Sequence, residues 1–146
     1  MALLFEEQLD PSQSKDTVSE VTAGLYKQIF ASYSHDDTLV VLSCRNIYKA
    51  LGFNILIDID SLRAGQVFTD ALKKLIDAAD IFQLFWSARA ANSRYVGLEW
   101  EYALQLNKGE GFVRPIYWEV PLVPPPPKLA PLHFAYVPSY TFTSQQ

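Results

Sequence analysis

Short apolar runs alternate with stretches of helical periodicity along this chain, and this alternation is the feature that most constrains the fold. Runs typical of strands occur at residues 27–33, 53–59, 81–86 and 112–118, with a short fifth candidate at 134–137. Between the first four, apolar residues recur every three or four positions, as on one face of a helix. The pattern predicts an α/β fold with a central five-stranded parallel sheet and helices on both faces.

Three helices are predicted between these strands, each with an apolar stripe and a start or stop signal. The first begins at the acidic pair Asp36-Asp37 and ends at Gly52, and its stripe consists of Val40, Cys44, Ile47 and Leu51. The second is marked by Phe68, Leu72, Leu75, Ile76 and Ala79. The third has Ser93 as its N-cap, and its core-facing stripe consists of Val96, Trp100, Ala103 and Leu104.

The fourth strand candidate contains Pro115. Proline cannot donate a backbone hydrogen bond to a neighbouring strand. The middle of this strand is therefore predicted to be irregular or to lie at an edge of the sheet.

Size and composition exclude several classes of protein. A chain of 146 residues is long enough for one domain with a hydrophobic core. The net charge of −4 argues against a nucleic-acid or anionic-membrane surface, and no apolar run approaches the length of a membrane span. The lone Cys44 excludes an internal disulfide, and with two histidines it cannot form a usual zinc site. We expect a cytoplasmic protein without a bound metal.

The chain is divided into three segments by composition. Residues 1–24 are expected to form a flexible or loosely docked leader because they are polar. Residues 1–10 are not expected to be a secretory signal, since no basic region leads into an apolar run there. Residues 25–138 are predicted to form the folded domain. Residues 139–146 are expected to be a frayed tail.

Polar candidates converge on one rim of the predicted sheet, because ligands of open α/β sheets bind outside the carboxyl ends of the strands. Asp58, the loop 61–66, the turn 32–35 and the loop before the third helix all belong to that rim. In the third helix, Tyr95, Glu99 and Tyr102 form a second stripe beside the apolar one. A carboxylate beside aromatic rings suits the stabilisation of a sugar cation. The plainer alternative is an exposed glutamate that complements the helix dipole.

Four segments in order resemble the sequence boxes of TIR (Toll/interleukin-1 receptor) domains. Residues 29–37 (IFASYSHDD) are similar to the first box, and residues 52–65, containing IDIDSLRAG, to the second box with its mobile loop. Residues 85–100 resemble the segment that carries an aromatic-x-x-x-Glu motif, and residues 114–118 (RPIYW) the fourth-strand motif of bacterial members. The resemblance extends from Lys27 to about Tyr136.

This resemblance implies a flavodoxin-like fold and, as in many bacterial and plant members, hydrolysis or cyclisation of NAD+. The family's catalytic glutamate falls on Glu99, and its frequent tryptophan four residues earlier is Tyr95 here. Positions that contact the nucleotide in related domains fall on Ser34, His35 and Arg63, and Asp58 and Leu62 are expected nearby. NAD+ is then the substrate, and no cofactor is implied.

Two functions follow from the resemblance as expectations. The first is an NAD-consuming enzyme in a bacterial antiphage defence system, with a sensor domain or protein as a further partner. The second is a scaffold that only associates with other TIR domains. In the family, activity commonly depends on assembly into an oligomer or filament, because the mobile loop must be displaced and an adjacent subunit completes the pocket.

Other nucleotide-binding classes are disfavoured by the residues themselves. The chain has no Gly-x-Gly-x-x-Gly or Walker A pattern. A receiver domain has the same strand order, and Asp58 could stand for its phosphorylated aspartate. However, the acidic pair expected after the first strand and the lysine expected after the last are not evident.

Overall fold

The computed structural model describes residues 27–56 and 68–138, which form a parallel sheet covered by helices. The strands are β1 (Lys27–Ser32), β2 (Phe53–Leu56), β3 (Ile81–Trp86), β4 (Val113–Tyr117) and β5 (Ala135–Tyr136). A 3-10 turn (His35–Asp37) leads into α1 (Thr38–Ala50), and the other helices are α2 (Asp70–Ala78), α3 (Ala88–Ala91) and α4 (Arg94–Gln105).

The sheet has the order β2-β1-β3-β4-β5, and every neighbouring pair of strands is parallel. This is the flavodoxin-like order, and it confirms the predicted fold class. The third strand has the predicted bounds. Strand β3 is buried at all six positions, which explains why every residue except Gln83 is apolar.

Two apolar clusters lie on opposite faces of the sheet. Alternate residues of β1 divide between them: Phe30 belongs to one cluster, and Ile29 and Ala31 belong to the other. The Phe30 side is covered by α2 and α4, whereas the Ile29 side is covered by α1. The prediction of helices on both faces is therefore confirmed.

The predicted stripe of the first helix is confirmed only in part. Cys44 is buried, and Val40 is half-buried and packs against the same apolar cluster, but Val41 is also buried and was not part of the predicted stripe. Leu51 is 40% exposed because it follows the last helical residue rather than belonging to the stripe. Gly52 has φ 86°, so the prediction of a left-handed residue after this helix is confirmed.

Strand β4 has a neighbouring strand on each side. Pro115 nevertheless lies at a position where no backbone N–H is needed for a hydrogen bond to either neighbour. The carbonyl of Tyr117 accepts a hydrogen bond from the backbone N–H of Val137, so Tyr117 faces β5. Bonding direction alternates along a parallel strand, so Pro115 faces the same side. Strand β5 pairs only from Ile116 onward, and the proline therefore lies where that side is open.

Some predicted segments lie outside the described residues. These are the leader 1–24, the end of the second strand candidate at 57–59, the loop 61–66 and the tail 139–146. Within the described parts of the chain, no helix is both long and apolar enough to span a membrane.

Candidate functional site

A cleft of about 420 Å³ opens where the connections of β1 and β3 diverge. In the order β2-β1-β3-β4-β5, β1 and β3 are neighbours whose following helices cross in opposite directions, which makes this the topological switch point. The cleft is lined by Ser34 and Asp36 from the β1 side, and by Ala88, Arg89, Asn92 and Ser93 from the β3 side. Its position matches the predicted ligand-binding rim.

A hydrogen-bonded cluster of Asp37, Ser87 and Arg89 joins the two walls of this cleft. The Ser87 hydroxyl donates to Asp37 Oδ2 at 2.6 Å and accepts from the backbone N–H of Ala90 at 3.0 Å, as the N-cap of α3. Arg89 Nη1 lies 3.4 Å from Asp37 Oδ1 and 3.3 Å from the carbonyl oxygen of Asp36. The cluster therefore ties the turn after β1 to the helix after β3.

Burial of the Asp37 carboxyl is the main influence on its pKa. Desolvation raises the pKa of Asp37, and the hydrogen bonds from Ser87 and Arg89 only partly offset that effect. The Arg89 side chain is 61% exposed, so water screens its ion pair with Asp37. The bond from Ser87, itself buried, is the stronger link between the two walls.

Glu99 is buried and is not among the residues that line the cleft. Its side chain is 1% exposed on the face of α4 that packs against the sheet, together with Val96, Trp100 and Ala103. Its Oε1 accepts a hydrogen bond of 2.8 Å from the hydroxyl of Ser32, the last residue of β1. The interpretation of Glu99 as an exposed, dipole-complementing residue is therefore wrong.

The predicted stripe of Tyr95, Glu99 and Tyr102 does not form one wall. The Tyr102 hydroxyl donates to Asp77 Oδ1 at 2.6 Å, and its ring packs against Phe68. This hydrogen bond raises the pKa of Tyr102. Tyr102 therefore faces α2, whereas Glu99 faces β1.

The described residues offer neither a metal centre nor a thiolate nucleophile. They contain no group of three or more His, Cys, Asp or Glu side chains arranged to hold a metal ion. Cys44 is a buried free thiol, and burial raises its pKa to about 12. The buried polar side chains beside the switch point are instead carboxyls and hydroxyls, those of Asp37, Ser87 and the pair of Ser32 and Glu99.

The family comparison agrees with this fold. The sequence model of the TIR domain family matches residues 29–144, from the first strand past the last. The chain belongs to the TIR domain family. A search among curated proteins finds no match to it. TIR domains generally associate with other TIR domains, and some of them are NAD-cleaving enzymes.

The positions carried over from the TIR pattern are only partly brought together. Ser34 lines the cleft and accepts a hydrogen bond from the backbone N–H of Asp36 at 3.4 Å. His35 is exposed beside it, and its carbonyl oxygen accepts from Thr38 Oγ1 at 2.5 Å. Tyr95 is half-buried in the first turn of α4 and is not among the residues that line the cleft.

The remaining positions of the TIR pattern are in the second box. Asp58, Leu62 and Arg63 lie outside the described residues, so their predicted contact with the nucleotide stays a prediction.

Sequence reasoning missed the residues that build the β3 wall of the cleft. Arg89 and Asn92 line it, and Ser87 caps the short helix to which Arg89 belongs. Their position in the sequence could have identified them. Ser87 directly follows a buried strand, and the carboxyl end of that strand was expected at the ligand-binding rim. Asp37 was predicted only as a helix start, and its pairing with Arg89 across the switch point was missed as well.

Proposed function

We propose that this TIR domain is an NAD+ glycohydrolase with Glu99 as the catalytic carboxylate. The observation that supports it most is the burial of Glu99 at 1% exposure, hydrogen-bonded to Ser32 at the end of β1. Glutamate is almost never fully buried unless it is paired. At this position of α4 an apolar side chain would pack against the sheet without the cost of desolvating a carboxyl group. An ionisable group here therefore favours a chemical role.

The two elements that hold Glu99 both lead into the cleft. Ser32 and the cleft-lining Ser34 are two residues apart, so their Cα atoms are separated by at most about 7 Å. The N-cap of the helix that carries Glu99 is Ser93, which lines the opposite wall. Both elements that hold Glu99 thus also form the switch-point cleft.

The proposed reaction breaks the bond between nicotinamide and its ribose. The electron pair of that bond leaves with the pyridinium ring, which becomes neutral nicotinamide, and positive charge develops on the ribose. The Glu99 carboxylate stabilises this oxocarbenium-like state electrostatically. Water then adds to the ribose carbon and loses a proton, giving ADP-ribose. Attack by a group of the same molecule gives a cyclic isomer instead.

Six further residues are proposed to bind NAD+ around this carboxylate. Ser34 and His35 act from the turn after β1, and Tyr95 shapes the pocket one helical turn before Glu99. The second-box residues Asp58, Leu62 and Arg63 complete the set. No cofactor takes part, because NAD+ is consumed as the substrate.

Glu99 must be uncovered before it can touch a ribose, and we assign this step to self-association. In the assembled state, as a homo-oligomer or filament, a neighbouring TIR domain completes the pocket and opens the surroundings of Glu99. Activity then depends on protein concentration. This behaviour suits a cytoplasmic effector or signal-generating domain of bacterial antiphage defence, controlled by a sensor domain or protein.

The test is to incubate the full chain with NAD+ at high concentration with a crowding agent, and to separate the products by chromatography. Sedimentation shows whether the protein has assembled. We expect nicotinamide to appear with ADP-ribose or a cyclic isomer, at a rate per subunit that rises with protein concentration. Assembled protein that leaves NAD+ intact would refute the proposal.

The second candidate is a TIR scaffold that acts only through association. It is favoured by exposed apolar side chains: Val120, which follows β4, is 73% exposed, and Tyr136 in β5 is 50% exposed. If the protein is only a scaffold, Val120→Asp should weaken assembly, and neither wild type nor the variant should consume NAD+. If the protein is an enzyme, Val120→Asp should lose assembly and NAD+ cleavage together.

A further inference from the structure

The bond between Ser32 and Glu99 joins two elements that are distant in sequence. Ser32 ends β1, and Glu99 lies 67 residues later in α4. The serine is 0% exposed and the glutamate 1% exposed, so water does not compete for the bond. The residues around Glu99 on the same helix face are the apolar Val96, Trp100 and Ala103. One carboxylate oxygen of Glu99 is therefore tied to the end of β1.

We propose that Ser32 is a positioning residue for NAD+ cleavage, and this inference rests on the function proposed above. Glutamate has three rotatable side-chain bonds, and the last of them has a broad preference. A hydroxyl that donates to Oε1 at 2.8 Å restricts that rotation. It also stabilises the ionised form of a carboxylate, which is the form that opposes positive charge on the ribose. Ser32 itself touches no substrate.

A purely structural role for Ser32 makes a different prediction. If its hydroxyl only satisfied a buried polar group, its loss would lower stability without a specific effect on the chemical step. Ser43 provides the matched case, because it is also buried and its hydroxyl donates to the carbonyl oxygen of Leu39 at the same 2.8 Å. That bond lies within α1 and is remote from Glu99.

The experiment compares steady-state NAD+ cleavage by the assembled full chain in wild type, Ser32→Ala and Ser43→Ala, with the unfolding temperature of each. We expect Ser32→Ala to lower kcat by about 10- to 100-fold, the value of one hydrogen bond to a charged group. KM should change by less than about two-fold, because the interaction acts in the transition state. Ser43→Ala should keep the wild-type kcat. A wild-type kcat in Ser32→Ala, or a change confined to KM, would overturn the inference.

A second pair of variants covers the case in which Ser32→Ala fails to fold. The pair is Ser32→Thr and Ser32→Val. Threonine and valine have nearly the same size, and they differ in that valine has a methyl group where threonine has its hydroxyl. The threonine variant should exceed the valine variant in kcat by about five-fold or more, and equal values would overturn the positioning role.

The two proposals fail in different ways. Absence of cleavage by assembled wild type, or full activity in Glu99→Gln, removes the proposed function and this inference with it. Cleavage that depends on Glu99 but not on the Ser32 hydroxyl removes this inference alone.

Discussion

The replacement Ser87→Ala tests whether the cluster of Asp37, Ser87 and Arg89 holds the two walls of the cleft together. The serine makes two bonds, at 2.6 Å to Asp37 and at 3.0 Å from the N–H of Ala90. Loss of an N-cap costs about 1 kcal/mol. Loss of a hydrogen bond to a buried ionised group costs about 1.5–3 kcal/mol. We therefore expect Ser87→Ala to lower the free energy of unfolding by about 2.5–4 kcal/mol.

Ser93→Ala is the matched control for this prediction. Ser93 also caps a helix, accepting from the N–H of Val96 at 3.3 Å. Its loss should cost only about 1 kcal/mol. The assay is denaturant unfolding of both variants beside wild type, with the slope against denaturant checked for constancy. If Ser87→Ala costs no more than Ser93→Ala, the bond between Ser87 and Asp37 does not hold the walls together, and the reasoning is refuted.

Two further predictions concern titration. Because burial raises the pKa of Asp37, the folded protein keeps this proton to higher pH than the unfolded chain, and the stability it contributes is lost as pH rises through the folded pKa. The stability of Asp37→Asn should therefore improve relative to wild type as the pH rises above the ordinary aspartate pKa of about 3.9, and a difference that stays constant with pH would contradict this. The phenol of Tyr102 should titrate above the ordinary tyrosine range because it donates to Asp77. NMR of ring-labelled tyrosine should show a lower midpoint in Asp77→Asn, whereas an unchanged midpoint would exclude that cause.

Local patterns were sufficient to predict most of the fold. The run 81–86 has the bounds of β3 because a strand buried on both faces is mostly apolar, here at every position except Gln83. Ser93 was predicted as an N-cap, and its hydroxyl accepts from the N–H of Val96, since a serine before an apolar-periodic stretch offers that bond directly. Such signals depend only on neighbours in sequence.

The burial of Glu99 is beyond the reach of such local patterns. Apolar periodicity identifies the buried face of a helix from its apolar residues alone. A polar residue on that buried face is therefore assigned to the neighbouring, more exposed stripe. Glu99 is three residues after Val96 and four before Ala103, which is the spacing of the buried face itself. Its partner Ser32 is 67 residues away, and the two meet only because α4 packs on β1.

The link between Asp37 and Arg89 depends on strand order. The two residues follow β1 and β3, which are neighbours only in the order that the structure shows. The flavodoxin-like order implied by the resemblance already makes β1 and β3 neighbours, but apolar periodicity does not show which side chains meet after those strands. Examining charged residues just after the two strands could have found this contact.

The most direct test of the central claim is the kcat of Glu99→Gln for NAD+ cleavage by assembled protein, beside Glu101→Gln as the control on the same helix. Glutamine keeps the size of the side chain and can still accept the bond from Ser32, but it removes the charge. We predict a loss of at least about 100-fold in Glu99→Gln, and a wild-type rate in Glu101→Gln. Equal rates in the two variants would contradict the assignment of Glu99 as the catalytic carboxylate.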